Sequence, residues 1–185
     1  SSLVRNNEVV QAGEKFFFTD AIVSNAVGFL DDHVEKSTQP FFLYLPFTAP
    51  HVPLHARDSV IAKYLDRYEV GWDEIRRQRH ERMIDMGLVS AEWNLPSRTD
   101  FASYDAESQQ LYLHAEVDET MELKQENYVN AQWDNLEEAD KNDLIRRMAT
   151  YAAQIDEMDQ NIGRLIEYLE EQNQLDNTLI LFLSD

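Results

Sequence analysis

The amino-acid sequence predicts an α/β fold, and three observations predict it. Two apolar runs, Phe41-Phe42-Leu43-Tyr44-Leu45-Pro46-Phe47 and Thr178-Leu179-Ile180-Leu181-Phe182-Leu183, have no polar face. That is the pattern of strands covered on both sides in a parallel sheet. Between them, Leu144, Met148, Tyr151, Ile155, Met158, Ile162, Leu165 and Leu169 alternate spacings of four and three, the stripe of one long amphipathic helix of about 30 residues. A short polar turn, Gln172 to Asn177, joins that helix to the second run, which makes the back half of a βαβ unit.

The remaining elements follow in chain order. Phe16-Phe17-Phe18 is a short apolar arm, and Thr19-Asp20 after it is a helix start. Ile22, Ala26, Phe29, Leu30 and Val34 recur at helical spacing, and Pro40 ends that helix near Lys36 to Gln39. Residues 58–68 and 72–86 read as two short helices. Ile61, Tyr64, Leu65 and Tyr68 mark the first, Trp72, Ile75, Met83 and Met86 the second, and Gly87 caps the latter. From Leu88 to about Asn135 the periodicity dissolves, so residues 88–134 are expected to be a loop-rich insertion. Gly163 interrupts the long helix at a cost of about 1 kcal/mol against alanine, and close packing is the expected reason.

Composition narrows the partners. The chain has 185 residues, 35 acidic against 16 basic, and a formal net charge of −19. Such a surface repels nucleic-acid phosphates and anionic lipid, so neither is an expected partner. Any anion site needs local positive charge or a metal. Cysteine is absent, which removes disulfides and thiolate metal sites. No apolar run approaches the roughly 20 residues of a membrane span.

In open α/β sheets, ligands gather outside the carboxyl ends of the strands. The first apolar run leads into Thr48-Ala49-Pro50-His51-Val52-Pro53-Leu54-His55-Ala56, and the second into Ser184-Asp185. His51, His55 and Asp185 are therefore the residues to examine. His51 and His55 have the H-x-x-x-H spacing of zinc proteases, but that geometry needs a helix and an adjacent glutamate. Pro50, Pro53 and Val52 stand there instead. Asp159-x-Asn161-x-Gly163 with Glu170 superficially follows a calcium loop, yet the required glycine is Arg164 and the helical stripe runs through. It reads as a solvated helix face.

The segment from Phe41 to Ala56 closely resembles the sulfatase sequence written as an apolar strand followed by APHxPLxAP. The resemblance continues through Tyr64-Leu65-Asp66-Arg67-Tyr68 and Gly71-Trp72-Asp73. It resumes at Tyr151-Ala152-Ala153, Met158 to Arg164 and Leu175 to Thr178, and ends on Leu181-Phe182-Leu183-Ser184-Asp185. Only the irregular stretch 88–134 falls outside it. The bacterial arylsulfatases are the nearest group.

The resemblance implies an alkaline-phosphatase-like fold and the hydrolysis of sulfate esters, on a small molecule or a sulfated glycan. It implies a formylglycine nucleophile, made from Cys or Ser in a C/S-x-P-S/A-R motif, and a calcium ion held by Asp and Asn side chains. His51 matches the histidine that contacts the sulfate, Asp185 matches a calcium ligand, and His55 inherits no role. A periplasmic or secreted location is likewise expected from the family. By family order, the nucleophile motif and further metal ligands are expected before Ser1 and after Asp185, so the chain by itself is expected to be inactive. Asn94-Leu95-Pro96-Ser97-Arg98 has the outline of the nucleophile motif, but asparagine cannot become formylglycine.

Two other functions fit parts of the same sequence. One is a phosphonate or phosphate monoester hydrolase of the same superfamily. The other is a non-catalytic acidic interaction module that uses residues 88–134 as its surface.

Overall fold

The computed structural model describes residues 3–96 and 133–183. Those residues divide into two compact units, one drawn from Ser1–Tyr64 with Ala149–Asp185, the other from Leu65–Met148.

The first unit opens with a hairpin that the sequence reading did not anticipate. Strands β1 (Leu3–Arg5) and β2 (Glu8–Val10) pair antiparallel, with Leu3 opposite Val10 and Arg5 opposite Glu8. Asn6 and Asn7 make the turn at φ 49° and 67°, a left-handed conformation that asparagine tolerates and two-residue hairpins require. The Arg5 guanidinium lies 5.6 Å from the centre of the Phe29 ring, which lays the hairpin on the next helix.

That helix, α1, spans Phe18–Lys36 and ends where the sequence predicts. Asp20 in its first turn and His33 and Lys36 in its last complement the helix dipole. Its buried face is Thr19, Val23, Ala26 and Leu30. Phe29 and Val34, expected to face the core, are exposed.

Residues 41–47 form no strand, yet their burial alternates with the period of two that a strand imposes. Phe41, Leu43, Leu45 and Phe47 are half-buried, while Phe42, Tyr44 and Pro46 are exposed. Phe41 and Leu43 pack against a core of Leu30, Tyr168 and Leu169, joined by Val27, Leu165 and Leu175. The expectation of two covered faces is therefore corrected, since Phe42 is 93% exposed. Residues 178–183 depart further, with Leu179 85% and Leu183 83% exposed. Neither run pairs with another strand among the described residues, whose one sheet is the β1–β2 hairpin. A ladder needs a neighbour to take its N–H and C=O groups, and no described segment supplies one.

The expected helix over 58–68 is two short pieces, α2 (Asp58–Ile61) and α3 (Leu65–Tyr68). Between them Lys63 N donates to Val60 O and Tyr64 N to Ile61 O, the tighter hydrogen bonds of a turn that does not continue a helix.

In the second unit, α4 spans Gly71–Asp85. Its end is the predicted glycine cap. Gly87 has φ 71°, its N–H donates to Ile84 O, and Leu88 N donates to Met83 O. Its start depends on another glycine. Gly71 has φ +79°, and a Cβ there would come within 2.3 Å of the Trp133 ring. Trp133 stands edge-on to Trp72 at 5.2 Å, and its backbone N–H donates to Asp73 Oδ2.

The long helix, α5, spans Glu138–Glu171, and 34 residues make it slightly longer than predicted. Its apolar stripe is only part of its buried face: Met158 and Leu169 are buried as predicted. Tyr151 and Ile155 are exposed, whereas Gln154, Glu157 and Asn161 are buried. Asp20 pairs with Asn161, Ser24 with Arg164 and Asp31 with Tyr168. These partners advance together along both chains, so α1 and α5 lie side by side and parallel. Of these polar residues, Glu157 takes hydrogen bonds from Arg57 before α2 and Asn161 donates to Asp20 on α1, whereas Gln154 Oε1 is buried without a hydrogen-bond partner among the described residues. A Cβ on Gly163 would meet nothing within 4 Å, so close packing does not explain that glycine. Among the described residues no helix is long and apolar enough to cross a membrane.

Of the proposed insertion 88–134, residues 97–132 lie outside the described residues. Residues 88–96 hold turns and irregular backbone.

Candidate functional site

His51 follows the segment 41–47, on a loop held at both ends. On the near side, Phe41 and Leu43 fix the segment to the core. The chain then turns through Thr48-Ala49-Pro50-His51, with His51 N donating to Thr48 O at 2.9 Å. The Ala49–Pro50 and Val52–Pro53 peptide bonds are both cis.

The His51 side chain is exposed, and its Nδ1 lies 2.6 Å from Val52 O. A carbonyl oxygen only accepts, so Nδ1 carries the proton in this contact. Nε2 is then the nitrogen left for an incoming group.

His55 does something else. Its ring lies against Phe17, with centroids 5.5 Å apart. The other neighbour of Phe17 is Arg57, whose guanidinium carbon is 4.2 Å from the ring centre. His55 therefore belongs to the packing that anchors the far side of the loop.

Arg57 is the centre of that anchor. Its backbone N–H and its Nη1 both donate to Glu157 Oε1, at 3.3 and 3.2 Å, and its Nη2 pairs with Asp20. Asn161 Nδ2 donates to Asp20 Oδ1 at 2.9 Å and to Glu157 O at 2.8 Å, and Arg164 Nη1 donates to Asn161 Oδ1. Burial opposes the charge on Asp20, but the hydrogen bonds from Asn161 and Arg57, with the charges of Arg57 and Arg164, together hold its carboxyl below the usual value. Glu157 is 3% exposed, so this is a buried carboxylate with a cationic partner.

Sequence reasoning missed this network. It read the face around Asn161 as solvated, and Asn161 is 3% exposed. The available signal was the set Glu157, Asn161 and Arg164 at spacings of four and three on one helical face.

The other site residue, Asp185, lies outside the described residues, so the expected meeting of His51 and Asp185 at one sheet edge does too. Among the described residues no group of three or more His, Cys, Asp or Glu side chains could hold a metal ion. Calcium takes six to eight oxygen ligands, and the described residues do not offer such a set. The described part of the calcium-loop outline, Asp159 to Glu170, is uninterrupted helix.

The family model described as Sulfatase matches residues 2–185. The chain is 36% identical over 151 residues to an uncharacterised sulfatase of Schizosaccharomyces pombe, covering 82% of this chain and 22% of that protein. It is 29% identical over 181 residues to an arylsulfatase of Klebsiella aerogenes, covering 98% and 32%. It is 27% identical over 198 residues to an N-acetylglucosamine-6-O-sulfatase of Bacteroides thetaiotaomicron, covering 93% and 33%. The chain thus spans a third or less of the length of these relatives. With a match from residue 2 to residue 185, the chain belongs to the sulfatase family.

Proposed function

We propose that this chain forms part of an enzyme that hydrolyses sulfate esters, an aryl sulfate or a sulfated sugar, and that His51 contributes a hydrogen bond to the sulfate. The observation that carries the reading is the presentation of His51. It sits exposed on an anchored loop, with Nδ1 committed to Val52 O and Nε2 left for an incoming group, to which the protonated ring would donate. Family membership over residues 2–185 supports the reaction class. A hydrogen-bond donor held where sulfuryl charge grows would lower the barrier without reorganising during the reaction.

The same proposal includes a formylglycine nucleophile and a calcium ion, with Asp185 as one calcium ligand. The chain contains no cysteine from which formylglycine could be made. A periplasmic or extracellular location belongs to the proposal as well.

The test uses the full reading frame that contains this chain, with 4-nitrophenyl sulfate and 4-nitrophenyl phosphate as probes. Sulfate hydrolysis should exceed phosphate hydrolysis, and His51→Ala should lower kcat by about 10²–10³. Preference for the phosphate would move the assignment to a phosphomonoesterase. Full turnover by the His51→Ala enzyme would remove His51 from the site.

A further inference from the structure

We infer that Arg57, held by Glu157 and Asp20, is a positioning residue for His51, resting on the reading of His51 as the sulfate contact. The loop from Thr48 to Ala56 leaves the core at Phe41 and Leu43 and must be fixed again before α2 for His51 to keep one place. Arg57 is that second fixed point, one residue before α2 begins.

Three independent contacts hold it. The backbone N–H and Nη1 reach the same oxygen of Glu157, so the main chain and the side chain are tied to α5 together. Nη2 reaches Asp20 in the first turn of α1. The face of the guanidinium covers Phe17, and Phe17 in turn carries the His55 ring. The loop end is thereby joined to α1 and to α5 at once.

Position 57 is also where this sequence departs from the string APHxPLxAP, which closes on proline. A proline would have no N–H to give Glu157 and no cation for Asp20. Glu157 is buried, and its Oε2 has no hydrogen-bond partner among the described residues, so its bound oxygen depends on Arg57. Displacement of a positioning element by about 1 Å can lower turnover about a hundredfold even when the chemistry is elsewhere. Arg57 acts on His51 through the loop, so its effect is on where the loop holds the imidazole.

The experiment uses the full reading frame that contains this chain, assayed with 4-nitrophenyl sulfate. Arg57→Ala, Arg57→Lys, His51→Ala and, as a control, Lys63→Ala are compared for kcat, KM and melting temperature. Lys63 pairs with Asp156 on the same helix but lies outside the loop. Arg57→Ala should lower kcat by about tenfold or more, with KM changed much less. Arg57→Lys, or added guanidinium with Arg57→Ala, should restore part of it. Lys63→Ala should keep its kcat.

A folded Arg57→Ala enzyme with unchanged kcat, alongside an inactive His51→Ala enzyme, overturns the positioning role and leaves the His51 reading intact. So does a loss of kcat that neither lysine nor guanidinium restores, because that is the behaviour of general damage. If His51→Ala is itself fully active, the site reading fails first, whatever Arg57 does.

Discussion

The phenolic hydroxyl of Tyr168 on α5 donates to Asp31 Oδ1 on α1 at 2.7 Å, and the ring beneath it belongs to the core that receives Phe41 and Leu43. One residue therefore joins the two parallel helices and supports the segment that leads to His51.

Tyr168 should ionise unusually late. Burial first, then its hydrogen bond to the Asp31 carboxylate and that group's charge, push its pKa up to about 12. A pKa raised by folding gives stability that is full below the unfolded value of about 10 and is lost as pH rises through about 12. The protein should thus weaken between those two values. Tyr168→Phe should flatten that part of the profile and lower stability by about 1 kcal/mol at neutral pH. Phenolate absorbance against pH, with urea unfolding at each pH, checks both. An ordinary phenol midpoint for Tyr168 would contradict the buried hydrogen bond.

Glu157→Ala should destabilise more than Lys63→Ala does. The first removes a buried acceptor of two Arg57 hydrogen bonds, at a cost of about 1–3 kcal/mol. The second removes an ion pair whose lysine end is in water, worth about 1 kcal/mol or less. Urea midpoints of the two variants give the order directly. A reversed order would mean the buried carboxylate is not held as described.

Gly71→Ala should disturb the second unit. The new Cβ would enter the Trp133 ring, and φ +79° strains any residue with a side chain. Together these cost about 1–3 kcal/mol. Tryptophan fluorescence should change because Trp72 and Trp133 are in contact. A mutant with native fluorescence and stability would show that Trp133 does not sit on Gly71. Gly87→Ala, strained in φ alone with nothing within 4 Å of its Cβ, should cost less.

The two histidines of the loop should behave differently. In the full reading frame, His55→Ala should retain most turnover of 4-nitrophenyl sulfate and lose some thermal stability. His51→Ala should do the reverse. The reason is the packing of His55 on Phe17 against the exposed, singly committed ring of His51. Equal losses of turnover in the two variants would show that the loop reads as one unit.

What the sequence by itself determined was local. The end of α1 before Pro40 and the Gly87 cap depend on backbone chemistry within a few residues, and each is where the pattern put it. The motif around His51 also identified the family without the structure, because it lies in consecutive residues. Tertiary structure decided which faces are buried. The apolar stripe of α5 predicted Tyr151 and Ile155 inside, yet the helix buries Gln154, Glu157 and Asn161. Hydrophobicity assigns a face by composition alone, whereas a buried polar group is tolerated wherever a distant partner completes its hydrogen bonds. For Glu157 that partner is Arg57, 100 residues away, and for Asn161 it is Asp20, 141 residues away. The spacing of Glu157, Asn161 and Arg164 marks one polar face of α5, but it does not name the distant residues that complete it, because each compensating donor or acceptor belongs to another part of the chain.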